Sequence, residues 1–301
     1  MPSLSSPSRS ESRASALRRW PTMVVGWVLS IVLGLAVVWP AEQAAAPGTA
    51  MVASVASPAD VVPADATTPS LSGLDAIDAD GKFAVAVLDI DSGESLTYGE
   101  EAFDTASIVK VDILAALLWQ HQQAGTSLSA TERAQAAAMI QYSDNASATA
   151  LFNAVGGRSG LELFNESIGL EDTVVGSNGS WGLTQTTATD QIRLLQVVFG
   201  AESVLTADSQ AYEQSLMSGV VHEQVLGVSA AADDPDDAAL KVGYLQRSAT
   251  GLWDVTSIGQ IKADGRTYLV AVLTDGSPSL ESGVDLADQV ARAAVSALTA
   301  I

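Results

Sequence analysis

A serine and a lysine three residues apart, Ser107 and Lys110, are the most chemically suggestive pair in this sequence. A serine hydroxyl is a poor nucleophile until a base takes its proton. Helix positions three apart share a face, so the lysine amine can reach the hydroxyl one turn away. Lys110 stands between Val109 and Val111 in an apolar stretch, and burial lowers the pKa of a lysine. We therefore predict an uncharged Lys110 that acts as general base toward Ser107.

The segment that carries this pair predicts a helix from Val109 to Gln123. Its first turns are apolar on nearly all sides, which is typical of a helix buried at the centre of its domain. Ser107 would open this helix, where the positive end of the dipole favours an alkoxide or a tetrahedral oxyanion. The alternative is a Ser107 that only caps the helix and a solvated Lys110. The apolar neighbours of Lys110 argue against that alternative.

Two further polar groups follow in the chain, Ser-Asp-Asn at 143–145 and Lys-Val-Gly at 241–243. The first falls in a predicted loop between two helices and the second on a predicted strand. If the lysine of the second group lies near Lys110, its charge lowers the pKa of Lys110 further. The structural alternative for the first group is a helix N-cap, a role that Asp144 or Asn145 would fill.

These three groups, in this order, resemble the S-x-x-K, S-D-N and K-T-G motifs of class A β-lactamases and penicillin-binding proteins, except at position 242. The resemblance covers nearly all of residues 80 to 298. It extends to neighbouring residues, namely Tyr142, Val155-Gly156-Gly157 and Trp181-Gly182-Leu183-Thr184. On these residues the chain is identified as a member of this serine hydrolase superfamily.

The resemblance implies four catalytic residues. Ser107 would form an acyl-enzyme, with Lys110 as its base. Ser143 would relay the proton to the leaving group. Lys241 would supply positive charge to Ser143 and to a carboxylate of the substrate.

It also implies three substrate-binding residues. Asn145 would hydrogen-bond the substrate amide and Lys110. The backbone N–H groups of Ser107 and Tyr244 would form the oxyanion hole. Gly243 would let the substrate approach its strand closely.

The sequence departs from the family pattern at two places. Class A β-lactamases carry a glutamate in an Ω-loop that activates the deacylating water, but no acidic residue lies between Asp172 and Asp190. Glu166 and Glu171 come earlier and lack the following asparagine at the family spacing, so we assign the role to neither. Val242 replaces a hydroxyl residue that would help to bind a carboxylate, a loss of about 1 kcal/mol or more.

Two classes of function fit these observations. The first is a serine hydrolase that forms an acyl-enzyme with a β-lactam or a D-Ala-D-Ala-type cell-wall peptide. Without the loop glutamate its deacylation should be slow, which favours a peptidase-like or weak enzyme over an efficient β-lactamase. The second is a non-catalytic cell-wall binding module on the same fold, which would have no need of the nucleophile.

The composition excludes several other functions. The chain of 301 residues has a formal charge of −21, which repels nucleic acid phosphates. It has no cysteine and two histidines, so Cys nucleophiles, disulfides and Cys-zinc sites are excluded. His121 and His222 lack metal-ligand spacing and are interpreted as surface residues. We expect no metal or organic cofactor and a monomer.

Four segments are predicted along the chain. Residues 1–22 are polar and basic, and 23–40 form an apolar export signal or a retained membrane anchor, two alternatives that the sequence leaves open. Residues 41–70 are typical of a flexible linker. Residues 71–301 form one domain outside the membrane, secreted or held at the cell surface.

The domain is predicted to be α+β, a β-lactamase/transpeptidase-like fold in which helices flank an antiparallel sheet and a second lobe is all helical. Two N-terminal strands and three C-terminal strands would share the sheet. The predicted strands span 82–90, 95–99, 239–246, 253–263 and 266–274. The other predicted helices span 131–140, 146–155, 161–168, 187–199 and 286–298.

Overall fold

A computed structural model describes residues 71–300. Its strands are β1 (Lys82–Asp89), β2 (Ser95–Tyr98), β3 (Phe103–Asp104), β4 (Gln185–Thr186), β5 (Ala239–Gln246), β6 (Trp253–Ala263) and β7 (Arg266–Ser277). Its helices are α1 (Ser72–Asp75), α2 (Val109–Gln123), α3 (Ala130–Gln141), α4 (Asn145–Ala154), α5 (Gly157–Ser167), α6 (Ala188–Phe199), α7 (Ala207–Met217) and α8 (Leu280–Thr299).

Five strands form one antiparallel sheet in the order β2-β1-β7-β6-β5. N-terminal β1 pairs with C-terminal β7, with Ala86 opposite Ala271. Strand β5 is an edge strand, and Gly243 pairs with Thr256 of β6. The predicted fold class, with the sheet shared between the two ends of the domain, is confirmed.

Side chains that alternate between the two faces of the sheet form two hydrophobic cores, one on each face. On β1, Ala84 and Ala86 belong to the core shared with the helical lobe. Val85 and Val87 belong to the core beneath α8. Successive strand side chains point to opposite faces, so a strand with both faces covered is apolar at nearly every position.

Helix α2 runs through the centre of the helical lobe and is buried from Val109 to Leu118. This confirms the prediction drawn from its apolar residues on all sides. Helices α3 to α7 surround it in the lobe. A capping box in which Ser129 accepts a bond from the backbone N–H of Glu132 starts α3. The lobe therefore holds Lys110, on the first turn of α2, away from water.

The structure corrects several predicted bounds. Ser107 lies in a single 3-10 turn, Ala106–Ile108, that precedes α2, so it does not open the helix itself. Helix α8 starts six residues earlier than predicted, because Ser279 and Ser282 form a capping box there. Helix α7 was not predicted, since its sequence is mixed polar and apolar without a clear apolar stripe.

The predicted basic N-terminus, apolar signal or anchor, and linker, residues 1–70, lie outside the described residues. Within 71–300 no helix combines the length and apolarity that crossing a bilayer requires.

Candidate active site

The turn that carries Ser107 is fixed from two sides. Thr105 donates its backbone N–H to the carbonyl of Thr184 at 2.8 Å. Its own carbonyl accepts a bond from Thr256 Oγ1 on β6, also at 2.8 Å. Between Thr105 and Ser107, Ala106 has a φ of +46°, a left-handed conformation that is unfavourable for a residue with a Cβ. Such strain clusters where a side chain must be presented in one direction.

Lys110 is fully buried, and its amine joins the first two motifs. Nζ lies 3.0 Å from Ser107 Oγ, 2.9 Å from Ser143 Oγ and 2.7 Å from the Ser143 carbonyl. It also lies 2.8 Å from Asn145 Oδ1. An ammonium has three protons to donate, fewer than these four acceptors. The neutral amine has two protons and one lone pair, and that lone pair can accept the proton of Ser107.

Burial lowers the pKa of Lys110 to about 8, against an opposing effect of the negative charge of Asp144. Relative to the ordinary pKa of 10.5, this shift means that the protein destabilises the protonated form of Lys110 by roughly 3 kcal/mol. At pH 7 about one lysine in ten would be uncharged. Burial and, to a smaller extent, the charge of Lys110 lower the pKa of Lys241 well below its usual value, so the two lysines are close enough to affect one another.

Ser143 occupies the tight connection between α3 and α4, with a φ of +56°. This left-handed backbone turns both its hydroxyl and its carbonyl toward Lys110. Asp144 caps α4 by accepting a bond from the backbone N–H of Ser147 at 2.7 Å. The N-cap alternative therefore holds for Asp144, while Ser143 and Asn145 face the lysine.

Gly243 brings the edge of the sheet against the Ser107 turn. A Cβ at this position would lie 2.5 Å from the backbone nitrogen of Ser107 and 2.7 Å from Thr256 Oγ1. Only a glycine fits such a close approach. Tyr244 follows on β5 with a half-exposed ring. The two amides predicted to form the oxyanion hole thus lie on segments in direct contact.

Lys241 is also fully buried, and it donates to Gln224 Oε1 at 2.9 Å and to the Val242 carbonyl at 2.7 Å. Its predicted role, to supply positive charge to Ser143, stays a prediction. Val242 is buried as well, 1% exposed. The third motif therefore contributes its glycine to the Ser107 turn and keeps its lysine away from solvent.

The segment between α5 and α6 closes over Lys110. Asp190 holds its two ends together by accepting bonds from the backbone N–H of Asp172 and the hydroxyl of Thr173, both at 2.8 Å. Within the segment, the ring of Trp181 lies 5.1 Å from Lys110 Nζ, and its Nε1 donates to Thr149 Oγ1 at 3.2 Å. An aromatic ring therefore covers the amine of Lys110 on this side.

The two glutamates considered from the sequence lie elsewhere. Glu166 and Glu171 line a cavity of about 380 Å³ together with Leu170 and Val174. The carboxylate charge that raises the pKa of Lys110 is that of Asp144 and not that of either glutamate.

The histidines take no part in the site. His222 is 86% exposed beside Asp236. His121 lies at the far end of α2, where it contacts Thr126 and Glu132. In the described part of the chain, no group of three metal-ligating side chains comes together.

Comparison with known proteins places this geometry in a family. The sequence model of the beta-lactamase enzyme family matches residues 119–298. The chain belongs to the beta-lactamase enzyme family. The matched range contains Ser143, Asn145 and Lys241 but begins after Ser107 and Lys110, which join the site through the hydrogen bonds given above. No curated protein sequence matches the chain.

Solved structures share the fold of this family member. PBP-A, crystallised as a point mutant in an acyl-enzyme complex with penicillin G, is 21% identical over 74% of this chain and 92% of its own, with a TM-score of 0.63. A class A beta-lactamase from Bacteroides cellulosilyticus DSM 14838 is 18% identical over 76% and 94%, with a TM-score of 0.62. A variant of the last common ancestor of Gram-negative class A beta-lactamases is 22% identical over 73% and 94%, with a TM-score of 0.61.

Sequence reasoning gave no role to three residues of this beta-lactamase family site. Gln224 gave no signal, because a single glutamine in a polar stretch does not indicate its lysine partner. Thr256 appeared only as one residue of a predicted strand. Trp181 was noted for its resemblance to the family, but nothing in the sequence placed its ring against Lys110.

Proposed function

We propose that this protein is a serine hydrolase that forms an acyl-enzyme on Ser107 from a β-lactam or a D-Ala-D-Ala-type amide and releases the acyl group slowly. One observation carries the proposal. The buried amine of Lys110 lies within hydrogen-bond distance of both Ser107 Oγ and Ser143 Oγ. It can therefore take a proton from the first hydroxyl and pass one to the second.

Acylation proceeds in two steps. Ser107 Oγ attacks the carbonyl carbon of the substrate, and its proton moves to neutral Lys110. The tetrahedral intermediate then collapses and the carbon–nitrogen bond breaks. The leaving nitrogen takes a proton from Ser143 Oγ, and protonated Lys110 returns a proton to Ser143 Oγ. The products are an ester on Ser107 and an amine, which stays attached to the acyl group when the substrate is a β-lactam.

The developing oxyanion needs fixed donors. The backbone N–H groups of Ser107 and Tyr244 supply them in this proposal, since Gly243 brings the two segments into contact. Each such donor contributes about 10²- to 10³-fold in rate. The strained φ of Ala106 keeps the first amide in place without rearrangement during the reaction.

Hydrolysis of the ester is the slow step. Water must add to the ester carbonyl and lose a proton, and a positioned general base typically accelerates this by about 10²- to 10⁴-fold. The ring of Trp181 occupies the space above Lys110 and offers no acceptor for that proton. We therefore expect a long-lived acyl-enzyme.

The alternative function is a non-catalytic cell-wall binding module. Burial of the protonated Lys110 is unfavourable by roughly 3 kcal/mol. A protein that only binds its ligand would have no use for this buried amine. The joint placement of Ser107, Lys110 and Ser143 therefore favours the enzyme.

We also propose that the domain acts outside the cytoplasm, secreted or anchored, because a basic segment and an apolar run precede it; as a separate proposal, it is a monomer. Protease digestion of spheroplasts that produce the full chain, with and without detergent, tests this location. Protection that is lost only in detergent would oppose it.

The test of the acyl-enzyme is labelling with penicillin G followed by intact mass and peptide mapping. We expect one adduct on Ser107 that persists for minutes to hours, and none in Ser107→Ala. Ser92→Ala, in the exposed β1–β2 turn, is the matched control and should label normally. Absence of an adduct in the wild type would favour the binding module, and rapid turnover would show that the base lies elsewhere.

A further inference from the structure

Arg247 ties the segment that carries Ser107 to the hairpin that carries Tyr244. It lies directly after β5, and its Nε bonds Asp254 Oδ2 on β6 at 2.5 Å. Its Nη2 forms an ion pair with Asp104, which ends β3 three residues before Ser107. We propose that Arg247 is a positioning residue that, through Asp104, holds the two amides of the oxyanion hole in register. This inference rests on the proposed acyl-enzyme function and adds to it a residue from outside the three motifs.

Asp104 is fixed from a second direction as well. It is buried, and Gln185 of β4 donates its side-chain amide to it. The same two residues are partners in the pairing of β3 with β4. The next residue, Thr105, is bonded on both sides, as described above. A displacement of Asp104 would therefore be passed along the backbone to the turn of Ser107.

The nucleophile segment and the hairpin meet at two points. The first is the close approach of Gly243 to the backbone nitrogen of Ser107, and the second is the ion pair of Arg247 with Asp104. The points are four residues apart on the hairpin, roughly 13 Å of extended chain, and three residues apart on the segment. A single contact would let the two segments pivot about it, whereas two contacts fix their relative orientation. Tyr244, whose amide belongs to the proposed oxyanion hole, lies between the two points.

The backbone of Arg247 is itself anchored. Its N–H donates to the Leu252 carbonyl at 2.8 Å, and its carbonyl accepts a bond from the N–H of Gly251 at 2.7 Å. These bonds close the connection between β5 and β6. The guanidinium therefore starts from a fixed point of the hairpin, and its contact transmits the position of the hairpin to Asp104.

The shape of the guanidinium suits this role. Nε and Nη2 reach different carboxylates, and the planar group holds its donors in a fixed fork. Burial raises the pKa of Asp104 and of Asp254, and the positive charge of Arg247 opposes this effect. A lysine ammonium would keep the charge, but as a single point it could not hold both carboxylates in the same geometry.

Replacing Arg247 by lysine tests the inference. Acylation of Ser107 by penicillin G is followed by quenched-flow intact mass over a wide range of concentrations, which gives the limiting rate constant, the half-saturating concentration and the final adduct per protein. We expect Arg247→Lys to lower the limiting rate constant about tenfold or more, part of the 10²- to 10³-fold that a lost oxyanion donor costs. The half-saturating concentration should stay within about twofold, because the oxyanion hole acts on the transition state. The final adduct should stay at one per protein, because folded protein is still acylated completely.

Arg266→Lys is the matched control. The side chain of Arg266 is 41% exposed, against 38% for Arg247, and it also bonds a buried carboxylate, Asp89, and an exposed glutamate. It pairs with Ala263 of β6, seven residues or roughly 23 Å from Thr256. This variant should leave the three kinetic quantities unchanged, whatever its effect on stability.

A double-mutant cycle shows whether the effect passes through Asp104. Asp104→Asn leaves the pair of Arg247 with Asp254 in place and should also lower the limiting rate constant. The variant that combines it with Arg247→Lys should be no slower than the slower single variant, because both changes remove the same contact. Effects that multiply in the combined variant would overturn the route through Asp104.

The outcomes separate the two proposals. An unchanged limiting rate constant in Arg247→Lys, or less adduct per protein at an unchanged rate, overturns the positioning role and leaves the acyl-enzyme standing. Absence of a Ser107 adduct in the wild type overturns the acyl-enzyme proposal and this inference with it. If Arg247→Lys does not fold, the limiting rate constant of Asp104→Asn decides by the same criterion.

Discussion

Raising the pH should switch on acylation of Ser107 with a midpoint set by Lys110. Burial lowers the pKa of this lysine to about 8, and the reactive form is the uncharged amine. The uncharged fraction rises from about 1% at pH 6 to about nine tenths at pH 9. The acylation rate constant should therefore increase roughly 90-fold over this range and level off above pH 9.

The assay uses penicillin G methyl ester, because this substrate carries no carboxylate to titrate. Ser107 acylation is followed by quenched-flow intact mass from pH 6 to 9.5, with Ser107→Ala as the blank for reaction elsewhere. Near-UV circular dichroism at each pH shows that the fold is kept. Lys110→Gln removes the titrating amine and should lose both the activity and its pH dependence.

The shape of the profile discriminates between environments for Lys110. A solvated lysine with its ordinary pKa of 10.5 would give a rate that still climbs about tenfold per pH unit at pH 9. Such a climb, or a flat profile between pH 6 and 9, would refute the buried amine as the base.

Three further predictions follow from particular contacts. Trp181→Glu places a carboxylate near the acyl ester and should speed deacylation about 100-fold or more, as seen in the lifetime of the penicillin adduct, whereas Trp181→Gln should not. Gly243→Ala puts a Cβ 2.5 Å from the backbone nitrogen of Ser107 and should cost about 1–3 kcal/mol in stability and nearly all acylation; Gly73→Ala, whose Cβ meets no atom closer than 4.0 Å, should be neutral. Burial raises the pKa of Asp112 to about 8, so the contribution of this side chain to the free energy of unfolding is fully present below about pH 4 and is lost as the pH rises toward 8. In urea unfolding, Asp112→Asn should raise the free energy of unfolding by about 1 kcal/mol or more at pH 8 and leave it unchanged at pH 4. An equal gain at both pH values would contradict a buried, protonated Asp112.

Local sequence patterns predicted the elements that carry most of the site. The apolar run predicted α2 with its observed bounds. Because the first turns of this helix are apolar on all sides, the sequence also predicted its burial. Strands β5 and β6 were also predicted with the observed bounds. Helix α7 was missed because its position comes from packing against the lobe, which its own residue pattern does not show.

The order of the three motifs predicted a role for Lys241 but not its hydrogen-bond partner. The amine of Lys241 donates to Gln224, 17 residues before it in the chain. The alternation of β5 fixes which face Lys241 occupies. Which side chain meets it there depends on the path of the connecting segment, which no periodicity describes.

The sequence by itself determined the pairing of a serine with a buried lysine. Ser107 and Lys110 are three residues apart, and the apolar residues around Lys110 require its burial, so a lowered pKa follows from local properties alone. The tertiary structure decided everything that joins distant segments. Ser143 reaches Lys110 across 33 residues, and Thr256 bonds Thr105 across 151. Such contacts depend on how side chains pack over the whole domain, and the same packing placed the ring of Trp181 over the amine of Lys110.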